Sequence, residues 1–559
     1  MKKATLFFKA ALLGTTCFLV YESPLQAATF SDTSPFHFTT VVNNGDNIPG
    51  TNRLFNSYNQ PSVNSSGLVV FRARSRGGQG GQPSTGIFSS DLLNLGSIEA
   101  IATRGSLVPE PNNTSAEFTE FPSFPRIDID SSMTATRGQS NPVWQVIDPV
   151  TGETVTQLGT SGIYTNPMGE LITGASQLGE VSGFDYFSVP SSSPTTRFDQ
   201  FPGAPAPTDG STIVFKGNWT DQATGEGKTG VYFRDVLANG GTNSVELIAD
   251  SNTVIPGNNP TGILFGSTAP PSAARGNAVF LGVDNEESPT LGGIYQVSLL
   301  EPRTLNPLVS LGETAPGSSL PFTRLGEALS FDGNYLAFWG ALGSETKPIT
   351  LFCPEEGNQV RVDYCQSLYP NGFTTEVAAN QGIFLTNTET LETQLIAQTG
   401  EEGFSDFLFW NFSGRPPGVG EGEDEEGDLE LARWRSTAFV AVDGSQIAFK
   451  GSKDSGIEGI YALLGLDSEL LTVVDTSMLG EVLDPEATGL TISSVGIERD
   501  GYRDGWLALT ASMVGDAEED SWAGIYVTRT ATVPEPSFSL LTGAIVFALG
   551  LRCKRKSRP

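Results

Sequence analysis

Histidine is almost absent from this chain: a single residue, His37, in 559. That excludes a histidine-cluster metal site, and any Ser-His-Asp triad would have to use this one side chain. Cysteine is scarce too, with four. Positive charge is short, since 32 Lys+Arg face 63 Asp+Glu for a formal net charge of −31. So few cations disfavour nucleic acid, whose phosphates need Lys and Arg for neutralisation. Charged residues of both signs make up only 17% against 38% apolar, which excludes a coiled coil or a highly charged disordered chain. Turn formers are plentiful, with 64 Gly and 35 Pro. The length allows about three to four average domains, or one unit if it is built of repeats.

Both ends read as addresses. Residues 1–28 begin Met1-Lys2-Lys3, run through an apolar stretch from Ala10 to Val20 and finish at Ala27-Ala28, the three parts of a secretory signal peptide. The stretch is too short to span a bilayer, which takes about 20 apolar residues. A lipoprotein site at Cys17 is disfavoured because Gly14 stands where such a site wants Leu. Residues 532–559 hold Val533-Pro534-Glu535-Pro536, the uncharged run from Ser537 to Leu551 and a tail with Arg552, Lys554, Arg555, Lys556 and Arg558. A basic tail behind an apolar run leaves everything upstream outside the cytoplasm and predicts a short C-terminal transmembrane helix. In this order the three parts resemble a PEP-CTERM sorting signal. The resemblance implies secretion across the inner membrane, a transient inner-membrane anchor and an exosortase-type processing enzyme acting near the Pro-Glu-Pro. The destination implied is the cell envelope, outer surface or extracellular matrix; no activity is implied. Without these ends the rest is still more acidic, because they hold eight Lys and Arg but only Glu22 and Glu535.

Residues 29–531 repeat. Gly, a β-branched residue and an aromatic recur at Gly86-Ile87-Phe88, Gly162-Ile163-Tyr164, Gly230-Val231-Tyr232, Gly293-Ile294-Tyr295, Gly382-Ile383-Phe384, Gly459-Ile460-Tyr461 and Gly524-Ile525-Tyr526, at intervals of 63 to 89 residues. A second β-rich run precedes each, such as Leu68-Val69-Val70-Phe71, Ile213-Val214-Phe215 or Ile447-Ala448-Phe449, with Val143-Trp144-Gln145-Val146 in the second unit. Turn signals precede most of these runs: Ser66-Gly67, Asp209-Gly210, Arg275-Gly276, Asp332-Gly333, Asp443-Gly444 and Asp500-Gly501. With a short run before the turn and another after the tripeptide, as at Ile98–Ala102, the unit is four strands, A to D. The predicted fold is all-β, a seven-bladed β-propeller of four-stranded blades. A linear solenoid competes, but its layers need a steadier period. The seventh unit lacks a fourth strand after Thr530, and Phe38-Thr39-Thr40-Val41-Val42 is expected to supply it and close the ring. Asn64-Ser65-Ser66-Gly67-Leu68-Val69-Val70-Phe71 resembles a tandem Asn-x-x-Gly-x-x-Ala-Phe repeat of bacterial surface proteins, with Val for Ala; the other units match it less closely.

In a propeller the B–C loops and D–A links share one face. Two long departures are expected there: the fifth B–C loop between Phe338 and Gly382, and the link from Glu401 to Arg435. The first carries Cys353 and Cys365, read as a disulfide in an exported protein. The second carries the acidic run Glu421–Asp428, read as solvated, with weak Ca²⁺ binding the alternative. Neither catalytic residues nor a cofactor are assigned. The preferred function is a non-catalytic envelope scaffold or binder of extracellular polysaccharide or protein. Trp144, Trp219, Trp339, Trp410, Trp434, Trp506 and Trp522 are candidate sugar platforms, or packing between blades. One alternative is a glycosidase or polysaccharide lyase using paired carboxylates, with Asp128, Asp130, Asp185 and Asp199 to be inspected; another is a protein-interaction platform.

Overall fold

Short runs of β-branched and aromatic residues between glycine turns form four-stranded antiparallel sheets, and there are seven of them. In the first blade, strand A is Phe55–Tyr58 continued by Ser62–Val63, B is Leu68–Ser75, C is Thr85–Asp91 and D is Ile98–Thr103. Blades 2 to 6 follow as residues 118–176, 206–250, 267–310, 322–398 and 404–475. Blade 7 takes A to C from 491–529, and Phe38–Asn43 pairs antiparallel with its strand C, Ser521–Arg529, from Phe38 opposite Thr528 to Asn43 opposite Gly524. The inner segments touch in a closed circle: Ser62–Val63, Arg126–Ile127, Ala206–Thr208, Ser272–Ala274, Ser330–Phe331, Val440–Asp443, Tyr502–Arg503 and Ser62–Val63 again. The chain is a seven-bladed β-propeller. The computed structural model describes residues 35–77, 83–190, 192, 196–257, 259, 261–354, 359–414, 432–516 and 521–530. Residues 1–28, Val533–Pro536, the C-terminal helix expected within 532–559 and the run Glu421–Asp428 lie outside them. Among the described residues no helix is long and apolar enough to cross a membrane.

The recurrent tripeptide has a packing reason. In six blades the C–D register shifts between its second and third residues, and in blade 7 the shift falls opposite them, between Thr40 and Val42. In every blade but the fourth the aromatic ring then lies back over its own glycine: a Cβ on Gly230 would sit 2.6 Å from the Tyr232 hydroxyl and 2.9 Å from Asp250 Cβ. An aromatic from strand A meets that ring edge-on, as Phe55 meets Phe88 at 5.1 Å, Phe322 meets Phe384 at 4.9 Å and Phe404 meets Tyr461 at 4.9 Å. A strand B aromatic flanks it, as Phe338 does Phe384 at 5.4 Å. Edge-on pairs add about 0.5–1.5 kcal/mol to the area they bury.

Three sequence expectations are corrected. Strand B of the second unit is Thr134–Ser140, not the run at Val143. Trp144–Ile147 instead pairs with Thr154–Leu158 as a hairpin inserted between B and C; the true strand is polar and lacks the apolar signature. The seventh A–B turn is Asp504-Gly505, both at positive φ, whereas Asp500-Gly501 lies four residues earlier beside the channel. The Glu401–Arg435 departure falls inside strand A of blade 6, between Phe404–Asp406 and Val440–Asp443, not in the link before it.

Candidate functional site

The two faces of the ring differ. On one, the A–B turns are short and laced together. Asp332 Oδ1 accepts the Asn334 and Tyr335 N–H groups of its own turn, while its Oδ2 accepts the Gly444 N–H of the next blade at 2.6 Å. Asp128 reaches Gly210 N–H at 2.7 Å and Asp443 reaches Gly505 N–H at 2.7 Å in the same way. Asn64, at the equivalent place in blade 1, orders its turn through Leu68 N–H at 2.8 Å and donates to Ser131 O of blade 2 at 2.8 Å. The Asp-Gly pairs are therefore hairpin turns and links between blades at once.

The channel is bridged near its axis by a buried ion cluster. Arg126 of blade 2 donates through Nη2 to Asp500 Oδ1 at 3.0 Å, and Arg503 Nη2 donates to the same oxygen at 2.7 Å. Arg126 also bonds Pro271 O and Ser272 Oγ of blade 4, and Arg503 bonds Phe331 O of blade 5. Burial would raise the Asp500 carboxyl, but the two guanidinium groups outweigh it and hold the carboxyl below its ordinary range.

The other face carries every long insertion. Blade 5 extends B and C into a tall hairpin, Tyr335–Leu351 with Phe373–Asn387, topped by helix α1, Gln359–Leu368. A disulfide joins Cys353 to Cys365 in α1, Cα atoms 5.7 Å apart. The blade 6 insertion forms a second hairpin, Phe409–Ser413 with Arg433–Thr437. Aromatic contacts join the two: Tyr369 lies 6.2 Å from Phe412 and 6.4 Å from Trp434, and Phe412 lies 5.6 Å from Trp434. Beneath them, over blades 4 to 6 and the channel mouth, opens a cleft of about 770 Å³, within the range of about 300–1,000 Å³ usual for ligand sites.

Its walls combine Trp339 and Trp410 with Glu286, Arg324, Glu327, Glu345, Glu376 and Arg499. Burial raises the Glu327 carboxyl; Lys216 opposes this, Glu286 adds to it, and Arg499 and Arg433 oppose it. Lys216 is lowered by burial, against the pull of Glu327 and Glu286. Arg499 Nε is held by Glu498 at 2.7 Å, but its Nη1 is buried with no partner among the described residues, as is Trp410 Nε1. Leaving a buried donor unmade costs about 1–3 kcal/mol. A smaller recess of about 350 Å³ lies by the blade 2 hairpin, between Trp144, Phe184, Tyr186 and Asn112.

The four aspartates proposed from sequence do not form a site. Asp128 is consumed by Gly210 N–H and the Ser131 hydroxyl. Asp130 is exposed and pairs with Arg275 at 3.3 Å, Asp185 is exposed on a short 3-10 turn, and Asp199 accepts from Thr220. The carboxyl at the channel mouth is Glu327, which no sequence motif marks. Among the tryptophans, Trp219 and Trp339 are buried and donate to Tyr232 and Gln381, Trp522 donates to Asp484, and Trp506 lies under Arg529. Trp410 and Trp144 line recesses. His37 is exposed just before the first strand. Among the described residues no three His, Cys, Asp or Glu groups could hold a metal ion.

A protein-family model matches residues 14–350, more than half of the chain. The chain belongs to DUF7453, a family of unknown function. No curated protein matches it. Similar solved structures include the β-propeller domain of the Trilobed protease from Pyrococcus furiosus, 10% identical, covering 88% of this chain and 100% of that one at a TM-score of 0.37. Pyrococcus horikoshii acylaminoacyl peptidase is 10% identical over 85% of this chain, TM-score 0.35, and the DUF7453 chain spans 51% of that protein's length. Polysaccharide lyase Uly1 is 11% identical over 90% of this chain and 94% of its own, TM-score 0.35. The propeller assignment rests on the blades themselves.

Proposed function

We propose that this DUF7453 chain is an exported propeller of the cell envelope that binds an extracellular ligand on its insertion face without altering it chemically. One observation carries the reading: the three inserted hairpins stand on one face, two of them over the cleft, while the opposite face carries short turns hydrogen-bonded from blade to blade. The signal-like residues 1–28 and the sorting-type residues 532–559 support export and a transient anchor. Thr530 N–H donates to Gly505 O in the blade 7 turn, and the strand starting at Phe38 begins opposite Thr528, so both described ends lie on the turn face. An anchor at 532–559 would thus leave the cleft pointing away from the membrane, with an exosortase-type enzyme cutting beside blade 7. In this reading Phe38–Asn43 is the strap that fastens the ring, covering an edge that would otherwise recruit other strands.

A second reading, cleavage of a glycosidic bond, is favoured by Glu327, a buried carboxyl with raised pKa beside Glu286 at the channel mouth. The test is co-sedimentation of the 29–530 protein with insoluble envelope polymer, followed by assay of the supernatant for new reducing ends. Binding by the parent, its loss when residues 408–438 are replaced by a short glycine linker, and no new reducing ends are expected. Equal binding by the linker variant would remove the insertion face from the account, and reducing ends lost in Glu327→Gln would establish the second reading.

A further inference from the structure

The cleft is specific in what it offers. Glu286, Glu327, Glu345 and Glu376 line it against two guanidinium groups, and both of those are partly engaged: Arg324 donates to Glu287 O at 2.7 Å and Arg499 to Glu498. Four carboxyls against two guanidinium groups leave a surplus of acids that repels a carboxylate or phosphate. An apolar ligand would strip water from charged groups without replacing their hydrogen bonds. What fits is a molecule of hydroxyls. Each hydroxyl donates to a carboxylate and also accepts, supplying the oxygen that Arg499 Nη1 and Trp410 Nε1 lack among the described residues. The indole of Trp410 adds an apolar wall on which a C–H-rich ring face can lie.

We infer that the cleft over blades 4 to 6 is a binding site for a neutral, hydroxyl-rich saccharide, held between Trp410, Arg499 and the carboxylates of Glu286, Glu327 and Glu376. This rests on the insertion face being the working face and names what it takes. The cavity volume suits a short stretch of a chain, so an internal segment or an end of a longer polymer is the ligand.

The experiment uses the 29–530 protein on an array of neutral hexose, pentose and deoxyhexose oligosaccharides beside oligouronates and sulfated glycans, with hits measured by calorimetry. Trp410→Ala and Glu376→Gln are run in parallel, each first checked for an unchanged melting transition. Retention of neutral glycans, weakened about tenfold or more by Trp410→Ala, is the expected result. Glu376→Gln should weaken binding as well, because an amide accepts one hydroxyl proton less well than a carboxylate. Retention of only uronates or sulfated glycans would overturn the neutral class, and retention of no glycan would overturn the saccharide itself. Neutral binding that Trp410→Ala leaves intact but Trp144→Ala removes would move the site to the blade 2 recess and overturn the assignment to this cleft. Release of new reducing ends from a bound neutral glycan supports the ligand class and overturns only the non-catalytic reading.

Discussion

Gly230 and Tyr232 set the rule for the blade core at the level of single residues. The ring occupies the space a Cβ on Gly230 would take, so Gly230→Ala should destabilise the ring by about 1–3 kcal/mol through overpacking, read as a lower midpoint in chemical denaturation. Asp500 follows a different rule. Its carboxyl is held low by Arg126 and Arg503 against the cost of burial, so its contribution is fully present above the unfolded aspartate value, about 3.9. That contribution is lost as the pH falls through the lower folded value. The melting temperature should therefore hold from neutrality to about pH 5 and fall below about pH 4. Arg126→Ala should cost about 3–5 kcal/mol at neutral pH, since it strips one partner from a buried carboxylate, and should flatten the acid limb. A melting curve series across pH for both proteins decides it. Nothing in the sequence marks this cluster: Arg126 and Asp500 are 374 residues apart, and Asp500 looks like half of an ordinary Asp-Gly turn.

The blade 5 and blade 6 hairpins on the insertion face are fastened to each other as well as to the ring, where Lys450 lies over Phe409. Tyr364 and Tyr369 from the blade 5 tip pack on Phe412 and Trp434 of the blade 6 insertion, and the Cys353–Cys365 bridge ties the tip to its helix. A Cys353→Ser, Cys365→Ser double variant should leave the main melting transition within about 2 °C, since the ring holds its own core. The same change should make residues 352–372 the first site of proteolysis. Loss of the main transition would instead make the tip part of the ring's cooperative unit. At this scale the sequence was readable where chemistry repeats. The glycine–aromatic pairs located strand C in all seven blades, because in six of them the glycine makes room for its own ring and in the fourth Gly293 makes room for Val309 O. Strand A was harder, since a bulge or an entire hairpin breaks it. Strand B of blade 2 escaped because Thr134–Ser140 is polar, whereas the nearby run at Trp144 is apolar and extended but belongs to an insertion. The cleft was not legible either: it is built from Trp410, Glu327, Glu286 and Arg499, one residue from each of four distant segments.

As a whole molecule, the ring is a circle whose seventh blade is assembled from both ends of the described chain. A protein lacking residues 29–43 should melt more than about 10 °C lower and associate through the bare edge left by Ser521–Arg529; unchanged melting and a monomeric elution would show that the strap is dispensable. The division of the ring into a laced turn face and an open insertion face is the central claim, because the proposed ligand, anchor and direction of display all depend on it. Hydrogen–deuterium exchange of the 29–530 protein with and without the neutral glycan it retains tests that claim most directly. Slower exchange is expected in residues 324–328, 339–346, 376–378 and 408–411, with no change in the turns at 64–67, 209–210, 332–334 and 504–505. Protection of those turns, with the cleft segments unaffected, would contradict it.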